Sequence, residues 1–368
     1  MSDRPVYSER DSSRVAPASA SAPGSAFGVA PESSMLWSCR PWLWLPPAWA
    51  HALAPSLLPM ATLFAPDADD LRWREFSWRG MKFRNPLGTA GGLDKDAESL
   101  DEWAALGAGF LEIGTITPKA QGPNPGRIVD RDVRAGALWN RMGFPSQGLR
   151  VARANLQDWS AAAGGPGERL TPVFVNAGKN RDTSLDQAAE DYAFVIRELD
   201  DFADAFTINI SSPNTQGLRD LFQPQRLRDF LSPLREVTRR PLLLKLSPDL
   251  DAESLASAIE SLLNVGLDGV VATNTTLARP PQVNFPPEGG LSGAPLAALS
   301  LHMLDEVLRL LGRGREGRLV VSAGGVMNAA DVLQRLDRGA DLVQVYSTLV
   351  LNGPWLFSQA ARRFRTLP

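Results

Sequence analysis

The chain is poor in the residues that build covalent cross-links and metal centres. Its 368 residues include one cysteine, Cys39, and two histidines, His51 and His302. A single thiol excludes an intrachain disulfide and any cluster ligated only by cysteine, and it fits a reducing compartment. Two histidines leave too few ligands for a multi-histidine site, so no metal is expected. Charge of one sign is scarce too. A formal net charge of −3 with 21% charged residues gives no strong field, and no nucleic-acid partner is expected. Long apolar runs are also missing. Pro41, Pro46, Pro47, Pro55 and Pro59 break up the Trp- and Leu-rich stretch 35–64, so no segment of about 20 apolar residues survives to span a membrane.

With 44% hydrophobic residues the composition is that of a globular protein. Residues 1–34, rich in Ser, Ala, Pro and Gly without hydrophobic periodicity, read as a disordered tail. Asp3, Glu9, Asp11 and Glu32 argue against a transit peptide. Residues 35–66 form a second unit, with two short amphipathic helices expected over 41–53 and 55–65. A cap packed over the main domain fits this composition. So does a helix pair lying at a bilayer surface, which Trp37, Trp42, Trp44 and Trp49 would suit.

The remaining unit, 67–368, alternates β-type runs with helical patterns. Candidate strands fall at 86–90, 109–114, 172–177, 205–210, 241–246, 269–273, 319–323 and 341–346, each followed by room for a helix. Eight such units predict a closed (β/α)8 TIM barrel. Helices are expected over 98–107, ended by a glycine, and 252–263, started by Asp251. The long Pro- and Gly-bearing insertions 115–145 and 276–294 are of a length that is usually functional.

In such a barrel the chemistry sits at the C-terminal strand ends. Polar residues collect there strand after strand: Lys95, Gly114–Thr115, Asn176, Asn209 with Ser212, Lys245, Thr273–Asn274, Gly324–Gly325 and Tyr346–Ser347. Each alone has an ordinary structural explanation, such as an Asx turn, a tight turn or a solvated rim charge. A barrel needs no such collection at one mouth for stability. Gly324–Gly325 and Tyr346–Ser347 follow the strands where barrels often hold a phosphate, which implies a phosphorylated cofactor. Lys245 would set a cation beside a flavin ring. Asn140, Asn209, Asn214 and Asn274 offer donor and acceptor together, as a substrate with carbonyl and N–H groups requires, and Lys95 adds a charge for a carboxylate.

These residues carry a family resemblance. NPLGTAGGLDKD (85–96), EIGTITPKAQGPNP (112–125), NRMGF (140–144), VNAGKN (175–180), INISSPNTQGLRDL (208–221), KLSPDLD (245–251), TNTTLARP (273–280), GGLSGAPL (289–296) and VQVYSTLVLNGP (343–354) resemble, in order, the class 2, quinone-dependent dihydroorotate dehydrogenases. The resemblance covers roughly residues 41–360. It implies oxidation of dihydroorotate to orotate in pyrimidine synthesis, with FMN as cofactor and a membrane quinone as acceptor. Ser212 would remove the C5 proton while a hydride leaves C6, with Thr215 and Phe144 flanking it in a proton relay. Lys95, Asn140, Asn209, Asn214, Asn274 and Thr275 match the orotate positions, joined by Arg141, Met142, Gly143 and Phe144 of the NRMGF run. Gly91, Gly92, Lys95, Thr115, Asn176, Asn209, Lys245, Thr273, Gly293, Gly325, Tyr346 and Ser347 match those that hold FMN. His51, Arg131 and Tyr346 would line a quinone tunnel under the N-terminal helices.

Class 1 relatives resemble this pattern but place a cysteine at the base position, and here no cysteine is available. The chain departs from the pattern at Pro145, Asp130 and Arg127, toward the quinone side and the lid. Gly91 stands where alanine is common and should be tolerated. A peripheral protein at the cytoplasmic face of a bacterial inner membrane is expected, or else the mitochondrial inner membrane, and a monomer. Two other readings remain: a flavin enzyme acting on another reduced pyrimidine with a nicotinamide acceptor, and a barrel kept as a flavin-binding scaffold. A neutral pyrimidine would leave Lys95 without a carboxylate, and a scaffold would be free to lose Ser212, Lys95 and the asparagines.

Overall fold

The structure, a computed structural model, describes residues 6–7, 40–215 and 217–366. Eight parallel strands form one sheet: β1 (Leu87–Thr89), β2 (Leu111–Ile116), β3 (Val173–Ala177), β4 (Ala205–Ile208), β5 (Leu242–Lys245), β6 (Gly269–Ala272), β7 (Leu319–Ala323) and β8 (Leu342–Val345). Each overlaps an expected run. All are buried along their length, so they read as continuous apolar stretches rather than alternating ones. The sheet closes between β1 and β2. There Gly109 donates its N–H to Leu87 at 2.7 Å, and Thr89 donates to Phe110 at 3.3 Å. A helix follows every strand, which makes the architecture a (β/α)8 barrel.

Two apolar layers hold it together. Inside, Phe110, Phe174, Leu243, Val271, Val321 and Leu342 pack down onto Phe76, Trp78, Met81 and Phe83. The last four lie on an antiparallel hairpin, Phe76–Trp78 with Met81–Phe83, whose buried–exposed–buried alternation turns one face to the barrel floor. Outside, the helices cover the strands through a larger cluster that includes Leu156, Tyr192, Ile196, Leu234, Leu262, Leu304 and Phe357. The expected caps are present. Gly107 (φ +115°) ends the helix Leu100–Leu106, and the Asp251 side chain accepts the Ser254 N–H at 2.8 Å to start Ala252–Val265.

The N-terminal region departs from the expected helix pair. Pro41–Trp44 is a single 3-10 turn, and Pro47–Thr62 is one continuous helix, α1, that runs through Pro55 and Pro59. The two prolines are four residues apart, so the backbone donors they remove lie on one helix face, and both side chains are exposed. No helix among the described residues is long and apolar enough to cross a membrane. The expected tail 1–34 lies outside the described residues apart from Val6–Tyr7, which pair antiparallel with Phe76–Ser77. Trp37 and Cys39 also lie outside them.

The two long insertions meet over the mouth. Val129–Asp132 and Ala137–Asn140 from the first pair antiparallel, and Gly290–Gly293 from the second adds a third strand, with Gly290 opposite Asn140. The strand Gly290–Gly293 pairs with the first insertion along one edge and, through Leu291, with Thr276 of its own insertion, so the roof over the site draws on both.

Candidate active site

The strand ends bring most of the expected residues into one hydrogen-bonded array. Thr115 Oγ1, at the end of β2, donates to Asn176 Oδ1 of β3 at 2.7 Å. Asn209 Nδ2 donates to the same Oδ1 at 3.0 Å and to Thr115 Oγ1 at 3.1 Å. Asn274 Nδ2 reaches Ser211 Oγ at 2.9 Å and Asn209 Oδ1 at 3.2 Å, and its own Oδ1 accepts the Thr275 N–H at 2.8 Å. From the roof, Asn140 Oδ1 accepts Asn214 Nδ2 at 2.8 Å. Five asparagines from four chain segments are thereby held in fixed orientations, as a preorganised binding surface requires.

Below this array lies an ion pair inside the barrel. Lys245 Nζ stands 2.9 Å from Glu112 Oε1, with both side chains buried. The cation expected from sequence at Lys245 is thus paired with a carboxylate. Gly91 lies against the same pair. A Cβ there would lie 2.5 Å from Glu112 Oε1 and 3.0 Å from Asn176 Nδ2, so glycine leaves room that alanine would take. Gly92 (φ +101°) passes close to the Tyr346 ring, and a Cβ on Gly325 (φ +72°) would enter the Ala297 backbone at 2.3 Å. Ser347 Oγ donates to Ser292 Oγ at 3.0 Å on the strand that ends at Gly293. Thr273 Oγ1 donates to the Asn274 carbonyl at 2.9 Å.

Ser212 is buried, and its Oγ accepts the Asn214 N–H at 3.2 Å. Thr215 Oγ1 is buried with no hydrogen-bond partner among the described residues, so the expected relay is not formed as a direct Ser212–Thr215 bond. Asn214 Oδ1 is likewise unpartnered. Buried polar atoms left in this way are costly unless a ligand or water completes them. Phe144 holds φ +57°, and its ring borders Gly178. Gly143 and Met142 lie beside it in the loop, where the Met142 carbonyl accepts the Asn124 N–H at 2.8 Å. Arg141 points away, to the Pro125 carbonyl.

Of the residues expected at a quinone tunnel, His51 and Arg131 lie at contacts between the N-terminal segment and the rest of the molecule. His51 Nε2 on α1 lies 3.2 Å from Lys95 Nζ. Burial and the Lys95 charge push the His51 pKa down from 6.5 to about 4, so the ring is neutral and accepts from the ammonium. Burial lowers the pKa of Lys95 as well. Arg131 donates to the carbonyls of Leu43 (2.8 Å) and Leu45 (2.5 Å), which ties the extension down. Burial pushes the Tyr346 hydroxyl up to about 12. The departures at Arg127 and Asp130 answer one another, since the two form an ion pair.

Glu112, Gln344, Thr207, Ser211 and Asn124 join the site without being expected from the sequence. The one available signal was an acidic residue inside the apolar run GFLEIG.

A buried array of amides, glycines that admit no side chain and an incomplete set of polar partners at the C-terminal mouth define a (β/α)8-barrel enzyme built around a polar ligand. The dihydroorotate dehydrogenase family model matches residues 75–367. A dihydroorotate dehydrogenase (quinone) of Thermus thermophilus is 44% identical over 324 residues, 84% of this chain and 90% of its own. One from Xanthomonas oryzae pv. oryzae is 41% identical over 304 residues, 78% of this chain and 84% of its own. Among solved structures, the DHODH of Eimeria tenella in complex with ferulenol superposes with a TM-score of 0.76 at 31% identity, covering 86% of this chain and 90% of its own. The chain therefore belongs to the dihydroorotate dehydrogenase family, a family of flavoproteins, and is an oxidoreductase.

Proposed function

We propose that the chain oxidises dihydroorotate to orotate, with FMN as the bound cofactor and a membrane quinone as the final acceptor. The observation that carries this reading is the amide array of Asn140, Asn209, Asn214 and Asn274 beside buried Ser212, with Asn214 Oδ1 and Thr215 Oγ1 left without hydrogen-bond partners among the described residues. A pyrimidine dione offers the alternating carbonyl and N–H groups that such amides pair with, and Lys95 suits its carboxylate.

Gly91, Gly92, Thr115, Asn176, Lys245, Thr273, Gly293, Gly325, Tyr346 and Ser347 would hold FMN. Glycines with no room for a side chain and buried Thr115–Asn176 donors and acceptors fit a flat ring with a phosphate tail. Bound FMN supplies the acceptor for a hydride. Ser212 takes the proton from C5 of the substrate as the hydride leaves C6, and the electron pair of the C5–H bond forms the C5=C6 double bond. A serine hydroxyl is too weak a base to do this unaided, so it must pass its own proton on. Thr215 Oγ1, with no partner of its own, is the group available to receive it through a water or a small rotation.

The quinone side rests on α1. Trp44, Trp49, Leu53, Leu57, Met60, Leu63 and Phe64 are exposed, an apolar row that suits a membrane surface, and the cytoplasmic face of a bacterial inner membrane is the setting we favour. Ser212→Ala tests the centre of the reading. Flavin reduction by dihydroorotate should slow by about 10²–10⁴-fold while orotate still binds. An unchanged rate would remove Ser212 from its role.

A further inference from the structure

Glu112 sits near the start of β2 with no exposed surface at all, in the least hospitable place for a carboxylate. Five donors surround it. Oε1 accepts Asn176 Nδ2 at 2.7 Å, Lys245 Nζ at 2.9 Å and the Gly91 N–H at 3.2 Å. Oε2 accepts Gln344 Nε2 at 2.7 Å and Thr207 Oγ1 at 3.0 Å. Those donors come from β3, β4, β5, β8 and the loop after β1. Burial by itself would raise its pKa, but Lys245 and the amides of Gln344 and Asn176 overcome it, and the carboxyl is held below its ordinary range.

Barrel stability does not call for this arrangement, since a buried ion pair is often matched or bettered by apolar side chains of the same volume. Three of its five partners, Gly91, Asn176 and Lys245, are positions assigned above to the cofactor. Asn176 also carries the connection on to Thr115 and Asn209. At Gly91 a Cβ would come within 2.5 Å of Oε1, so the loop and the carboxylate lie in close contact.

We propose that Glu112 is a positioning and charge-balancing residue for the flavin: it fixes Lys245, Asn176 and the Gly91 loop, and cancels the lysine charge beside the ring. The inference rests on the flavin reading. A lone lysine there would favour the reduced, anionic flavin. Pairing it with Glu112 keeps the reduction potential low, so that electrons pass on to the acceptor rather than stay.

The test is a redox titration of the flavin in the full-length holoprotein. Glu112→Gln should move the midpoint to more positive potential by at least a tenfold change in the two-electron equilibrium, about 30 mV. Lys245→Met should move it the other way, and the double variant should return toward the original value, which a purely structural role for Glu112 would not produce. A Gln variant that keeps its FMN and the original potential overturns the inference. If that variant does not fold or retain FMN, Gly91→Ala keeps both charges but crowds Oε1 away from Lys245. It should shift the potential in the same positive sense, and an unshifted value overturns the inference equally. Should the unaltered chain bind no flavin, the function reading fails and takes this inference with it. Reduction of the unaltered chain by dihydroorotate, alongside an unshifted Gln variant, sinks this inference alone.

Discussion

Gly325 shows how tightly single positions are specified at the mouth. It holds φ +72°, and a Cβ would come within 2.3 Å of Ala297 Cα and 2.5 Å of Ala297 N, which are backbone atoms and cannot rotate away. Gly325→Ala is therefore expected to cost about 1–3 kcal/mol in backbone strain, with overpacking in addition. Chemical denaturation should show a lowered midpoint with an unchanged slope, and an unaltered midpoint would mean that the loop has slack. Sequence pattern located this glycine, and the geometry explains it. For Gly91 the sequence says only that glycine replaces a common alanine, and the structure packs it against a carboxylate fixed by five donors. Nothing in a one-dimensional string reports that Glu112, on the following strand, shares its space.

The elements divide by what periodicity can see. All eight barrel strands and the capped helices were legible because buried apolar runs, N-cap aspartate and C-cap glycine are local signals. The roof sheet was not, since pairing Ala137–Asn140 with Gly290–Gly293 depends on two insertions meeting in space. Helix α1 stands where two helices, 41–53 and 55–65, are expected, and it runs on through Pro55 with that proline on an exposed face. Its docking has a pH signature. His51 is held neutral, with a pKa of about 4 against an ordinary 6.5. The stability gained from that burial is fully present above about 6.5 and is lost as pH falls toward 4. The charges around the contact are Lys95 and, behind it, Asp94, Asp96 and Glu98, with burial pushing Asp94 up to about 6. Hydrogen exchange of residues 47–62, corrected for intrinsic rates, should accelerate across that window and not in His51→Leu. A helix whose protection ignores pH would contradict the assignment.

Across the whole molecule, the barrel mouth and the apolar surface of α1 lie on connected parts of the structure. Lys95 of the β1 loop touches His51 of α1, and Arg131 of the roof grips the carbonyls just before that helix. An enzyme that takes electrons from a soluble substrate and hands them to a lipid-borne acceptor needs such a join. Anaerobic mixing reads both halves in one sample: the full-length holoprotein is mixed with dihydroorotate while flavin absorbance is followed, and a quinone in phospholipid vesicles is then added. The account predicts bleaching in the first step and recovery of the oxidised spectrum in the second, with Leu53→Glu/Leu57→Glu slowing only the recovery. Flavin that stays oxidised in the presence of dihydroorotate would contradict the account at its centre.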